Sequence, residues 1–125
     1  MSNDQRQEHA LTAYERELLL RMLAREFRGR DELLSQLRNA RVKWVETSGS
    51  PGILIAVSDA APKAFVERTP LDAQLLGHDS DGMRIRFILH VIKGSVAEIE
   101  IFREDGEPIN ELPSVAELQN AYPSA

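Results

Sequence analysis

The sequence predicts an α+β domain: two N-terminal helices packed on a four- to five-stranded, mainly antiparallel meander, followed by a short C-terminal helix. Three observations predict it. Apolar residues recur at helical spacing through the first third of the chain, the period changes to two from Arg41 onward, and the later strands are joined by glycine-containing turns. Residues 1–10 are polar and read as a flexible tail, which leaves residues 11–122 as one domain.

The first helix is signalled by Thr12 and Glu15, a capping box in which hydroxyl and carboxylate satisfy backbone N–H groups at the helix start. Leu11, Tyr14, Leu18 and Met22, flanked by Leu19, Leu23 and Phe27, then form a broad apolar stripe. After Gly29 a second helix begins with Asp31 and Glu32 in its first turn, where the helix dipole favours anions. It buries Leu33, Leu34 and Leu37 and ends near Arg38-Asn39.

From Arg41, "RVKWVE" alternates, "SGSPG" reads as a turn, and "ILIAV" is continuous enough to predict a strand buried on both faces. An extended stretch follows from Phe65 to Leu76, with Leu71, Ala73 and Leu75 on one side and Pro70 marking an edge or bulge. "HDSDG" reads as the next turn. "MRIRFILHVI" and "SVAEIEIF" then form a hairpin. A three-residue loop, Ile92-Lys93-Gly94, sets Phe87 opposite Ile99, Ile88 opposite Glu98 and Arg86 opposite Glu100. A two-residue Lys93-Gly94 turn is disfavoured at this level, because it sets Glu98 and Glu100 against Leu89 and Phe87. Burying unpaired carboxylates costs several kcal/mol each. Asp105-Gly106 turns the chain again, and Ser114 with Glu117 makes a second capping box ahead of Val115 and Leu118.

Composition narrows the function classes. The 125 residues are 42% hydrophobic and 28% charged, those of an ordinary globule long enough to bury a core. No cysteine is present, which removes disulfides, thiolate ligands and a cysteine nucleophile and suits a reducing cytoplasm. No apolar run has the length of a membrane span. A net charge of −5 argues against a phosphate-backbone partner such as nucleic acid. Between Glu98 and Glu117 stand seven acids and one base, Arg103, so the partner expected at that end is a protein with a basic surface.

No catalytic, cofactor-binding or metal-binding set emerges. Glu98 and Glu100 share a strand face roughly 6.5–7 Å apart, a spacing a carboxylate pair can use, but their neighbours are isoleucines, Phe102 and arginines. His78 and His90 lack convergent ligands at the spacing a metal demands. "DSDG" opens like a calcium loop without its later acids. The outer sheet face remains as candidate interaction surface: Arg84, Arg86, Ile88, Val96, Glu98, Glu100, Phe102 and Glu104, apolar residues set among charges. Coverage of that face by the C-terminal helix is the competing expectation. The competing function is a small-molecule binder or enzyme with a pocket between helices and sheet, lined by Tyr14, Trp44 and His90.

The segments "LTAYERELLLRML", "FRGRDELLSQL" and "FILHVIKGSVAEIEIFREDGEPINELP" resemble a family of small bacterial domains of unknown function. The shared pattern is a T-x-x-E-R helix, an F-x-G-x-x-x-L-x-x-Q-L helix and R-x-D-G-x-P after a strand pair, over residues 11 to about 118. The resemblance implies no catalytic residues. Some similar acidic domains are antitoxin-like or immunity-type inhibitors, so it implies binding. The expected function is a non-enzymatic interaction domain, as a homodimer or an inhibitor of a basic partner.

Overall fold

A computed structural model of the chain describes residues 7–47, 50–66 and 74–121. Strand β1 (His9–Ala10) precedes helix α1 (Ala13–Met22) and helix α2 (Arg30–Gln36), which continues as a 3-10 turn over Leu37–Asn39. Then come β2 (Arg41–Thr47), β3 (Ser50–Ala56), β4 (Gln74–His78), β5 (Arg84–Ile92), β6 (Ser95–Arg103), a 3-10 turn (Val115–Glu117) and β7 (Gln119–Asn120). All strands belong to one antiparallel sheet of order β1-β2-β3-β6-β5-β4-β7.

The α+β class and the antiparallel sheet are as expected, and the details differ. Seven strands replace four or five, because the edge strands β1 and β7 are two residues long and offer no alternation to read. The sheet is not a simple meander: β3 pairs with β6, with Ile53 opposite Ile99. His9 and Ala10 pair with Val42 and Arg41, so ordered structure begins inside the expected tail. The expected C-terminal helix is a single 3-10 turn. Its capping box forms, but Leu118 is already extended and leads into β7. The extended stretch expected from Phe65 to Leu76 falls largely outside the described residues, β4 being its described end.

One side of the sheet carries the core. Leu18, Leu19, Leu23 and Leu33 from the helical layer meet Val42, Ile53, Phe87, Leu89, Ile99 and Ile101, all 1% exposed or less. Strand β3 is buried on this side only: Ile53 is 0% and Ile55 8% exposed, whereas Leu54 between them is 42% exposed. The expectation of burial on both faces therefore fails, since no second layer of described residues lies over Leu54.

The hairpin of β5 and β6 is closed by Lys93 and Gly94 at φ 50° and 81°. This two-residue turn with both central residues left-handed matches the twist of antiparallel strands. Val91 pairs with Val96, but His90 then pairs with Glu98. Ala97 is thus an inserted bulge residue. The bulge shifts alternation by one, so Ile99 and Ile101 still point inward. That escape makes the tight turn compatible with outward Glu98 and Glu100. Opposite partners move accordingly: Ile88 faces Glu100, Arg86 faces Phe102 and Ile85 faces Arg103.

The C-terminal segment closes the same side of the sheet as the helices. Tyr14 donates its hydroxyl to Pro113 O at 3.2 Å, and Arg21 donates to Val115 O and Leu118 O at 3.3 and 2.5 Å. Leu118, 2% exposed, lies over Gly77, where an added Cβ would stand 2.6 Å from Leu118 Cδ2 and 2.8 Å from Pro113 Cγ. Gly77→Ala is therefore expected to push the segment off β4 and lower stability by about 1–3 kcal/mol. Urea denaturation measures the loss, and faster amide exchange at Ala121, which donates to Gln74 O, locates it.

Candidate interaction surface

Alternation along β5 and β6 directs Arg84, Arg86, Ile88 and His90, together with Glu98, Glu100 and Phe102, to the side away from the helices. Arg84 and Glu100 are exposed, and Arg86, Ile88, Glu98, Phe102 and Glu104 are half-buried. Val96 departs from the expectation. It is 1% exposed, opposite Val91 in the core, because the bulge after it reverses the alternation. Leu54 joins the outer face from β3, between Lys43 and Glu98. The C-terminal segment does not cover this face, since its contacts lie on the helix side.

The charges here are partly spent within the chain. Glu104 receives Arg86 at 2.6 Å and Arg84 at 2.9 Å, where sequence reasoning had paired Arg86 with Glu100. The Arg86 hydrogen bond, aided by Arg84, holds the Glu104 carboxyl below its usual range. Glu100 pairs instead with His90 at 2.9 Å. Glu98 and Glu100 stand beside Leu54 and Ile88 on the outer face.

Beneath one end of the sheet lies a polar cluster that sequence reasoning missed. Arg103, only 7% exposed, donates Nε and Nη2 to Asp105 at 3.0 and 2.7 Å, and Nη1 to Asp79 and Asp81 at 2.8 and 3.0 Å. Asp79 is buried and also accepts the backbone N–H groups of Asn110 and Glu111, each at 2.8 Å, tying the C-terminal segment to the β4–β5 turn. Burial alone raises the Asp79 carboxyl. The N–H of Asn110, the Arg103 guanidinium and the N–H groups of Glu111 and Ser80 outweigh it and hold the group far below the usual carboxylate range. One signal was available: position 103 shares the inward parity of Ile99 and Ile101, and both acid-rich glycine turns flank it.

Above Asp79 opens a cleft of about 690 Å³ bounded by Tyr14, His78, Ser80, Glu111, Ser114 and Glu117. Its floor is committed to structure, because both Asp79 oxygens are taken by donors. The expected pocket of Tyr14, Trp44 and His90 does not assemble. Tyr14 and Trp44 rings lie 6.5 Å apart on the helix side, and His90 points from the opposite face. Among the described residues no group of three or more His, Asp or Glu side chains could hold a metal ion, and no helix is long and apolar enough to cross a membrane.

Residues 8–113, from β1 through the Arg103 cluster to Pro113, match a family described as a domain of unknown function, DUF6984. The chain belongs to this family. No curated protein and no solved structure matches it. The matched segment contains β3, β5 and β6, which carry the candidate surface, and the family's description attaches no activity to it.

Proposed function

We propose that the chain is a non-enzymatic protein-interaction domain whose outer sheet face docks a second copy of itself. The observation that carries this reading is the open outer face: Leu54, Ile88 and Phe102 lie among side chains of both signs, with no described element laid across them. A two-fold interface sets one patch against its own copy, so it requires a patch carrying both partners of each ion pair. Arg84, still 56% exposed beside Glu104, shares the outer face with Glu98 and Glu100, so the face carries both signs. A basic heterologous partner, favoured by counting charges along the sequence, draws less support, because Glu104 and Asp105 already face Arg84, Arg86 and Arg103.

Sedimentation velocity on the full chain tests the reading. A concentration-dependent dimer is expected, weakened by salt because exposed ion pairs are screened. Reversing Glu98 and Glu100 to lysine is expected to raise the dimer dissociation constant about tenfold or more at low salt. Leu54→Glu with Ile88→Glu is expected to give a monomer. A wild-type chain that stays monomeric at millimolar concentration overturns the proposal.

A further inference from the structure

The strand β1 is held by more than its two backbone pairs with β2. His9 on β1 places Nδ1 2.8 Å from the carbonyl oxygen of Gln7 and Nε2 2.9 Å from Glu15 Oε2, with Oε1 at 3.2 Å. Both partners are acceptors. The carbonyl can only accept, and the Glu15 carboxylate already accepts the Thr12 N–H at 2.9 Å and the Trp44 indole N–H at 2.6 Å. A neutral imidazole has one N–H and can satisfy one of the two. The arrangement is complete only when the ring carries both protons.

We propose that His9 is a proton-operated latch: its doubly protonated ring clips β1 to α1 through Glu15, and deprotonation releases β1 from the edge of β2. Glu15 is 1% exposed and sits at the N-terminus of α1, so the charge facing His9 is fixed by the helix cap and cannot move to water. From α1 the ring meets the Glu15 carboxylate, which it shares with the neutral Trp44 indole of β2. The Arg41–Glu8 pair, at 3.7 Å, lies on the opposite side of the sheet, because His9 is in register with Val42 and Ala10 with Arg41. Neutralising the ring removes the ion pair with Glu15 and leaves one N–H for two acceptors, on a strand with only two paired residues. Because the folded arrangement binds the imidazolium, the latch is closed below the ordinary imidazole value of about 6.5 and opens as pH rises above it. Release exposes the β2 backbone at Arg41 and Val42. The inference is independent of the outer-face docking reading, since β1 lies at the sheet edge.

Trp44 is the chain's single tryptophan and shares the Glu15 carboxylate, so its emission reports on the latch. The expected result is one pH transition in the wild-type emission, lost in His9→Gln and retained when His78 and His90 are both replaced by glutamine. Amide protection at Ala10 is expected to fall about tenfold across the same transition. A flat wild-type profile, or a transition that survives His9→Gln, overturns the proposal. Should His9→Gln not fold, ring-nitrogen NMR of the wild-type chain decides: an unprotonated ring nitrogen at His9 with β1 amides still protected overturns it, and loss of one ring N–H together with that protection supports it.

Discussion

Replacing Arg103 by methionine is expected to lower the melting temperature by roughly 10 °C. Methionine keeps most of the apolar stem of the side chain and removes the guanidinium charge with its donors. Asp79 is then a buried carboxylate without a counterion, and Asp81 and Asp105 gather beside it with nothing to offset their repulsion. Removing one partner of a buried charge network costs more than never having had it, because the remaining charge stays desolvated. The pH dependence gives an independent check. The Arg103 guanidinium and the Glu107 N–H draw Asp105 down to about 2, the Met83 N–H and Arg103 hold Asp81 low, and Asp79 lies lower still. Depressed carboxylates stabilise the fold above their unfolded range near about pH 4. That contribution is lost as pH falls toward about 2. The gap between wild type and Arg103→Met is therefore expected to close on acidification. A gap that is constant from neutral to acid pH would show that Arg103 acts through packing alone.

Gln36→Leu is expected to cost about 2–4 kcal/mol by chemical denaturation, although leucine matches the volume and the apolar surroundings. The Gln36 amide is 2% exposed and serves three backbone groups: Nε2 donates to Pro62 O at 2.7 Å and to Gly94 O at 2.8 Å, and Oε1 accepts the Val96 N–H at 2.9 Å. It thus satisfies the hairpin beside the bulge and joins it to the loop before β4. Leucine leaves the Val96 N–H buried with no acceptor. Faster exchange of that amide, ahead of global unfolding, is the local signature expected. A Gln36→Leu chain as stable as wild type would mean that water or a shifted loop replaces the amide at no cost.

The legible parts of this fold are those written in local periodicity. The helical stripe Leu18, Leu19, Met22 and Leu23 and the inward set Phe87, Leu89, Ile99 and Ile101 could be read from spacing, because a helix and a strand must each bury one apolar side. Both capping boxes, Thr12 with Glu15 and Ser114 with Glu117, could be read because donor and acceptor lie three residues apart. The outward aspect of Glu98 and Glu100 was also legible, and the turn and partners that produce it were not. Local reasoning weighed the turn alone, whereas Gln36, some sixty residues upstream of Val96, supplies the acceptor beside the bulge.

The same division covers the candidate surface. Seven of its eight proposed members have the expected aspect, and Val96 does not, being the residue on the near side of the bulge. By itself the sequence determined the class of fold, the inward and outward sides of its main strands, and the caps, because each depends on residues within a turn or a strand of one another. Only the tertiary structure decided that β3 meets β6, that Arg103 is enclosed by Asp79, Asp81 and Asp105, and that His9, Glu15 and Trp44 share one carboxylate. Each of those arrangements includes a contact between groups more than twenty residues apart, such as Arg103 with Asp79 and Trp44 with Glu15, and its energy depends on desolvation, which exists only after the layers have closed.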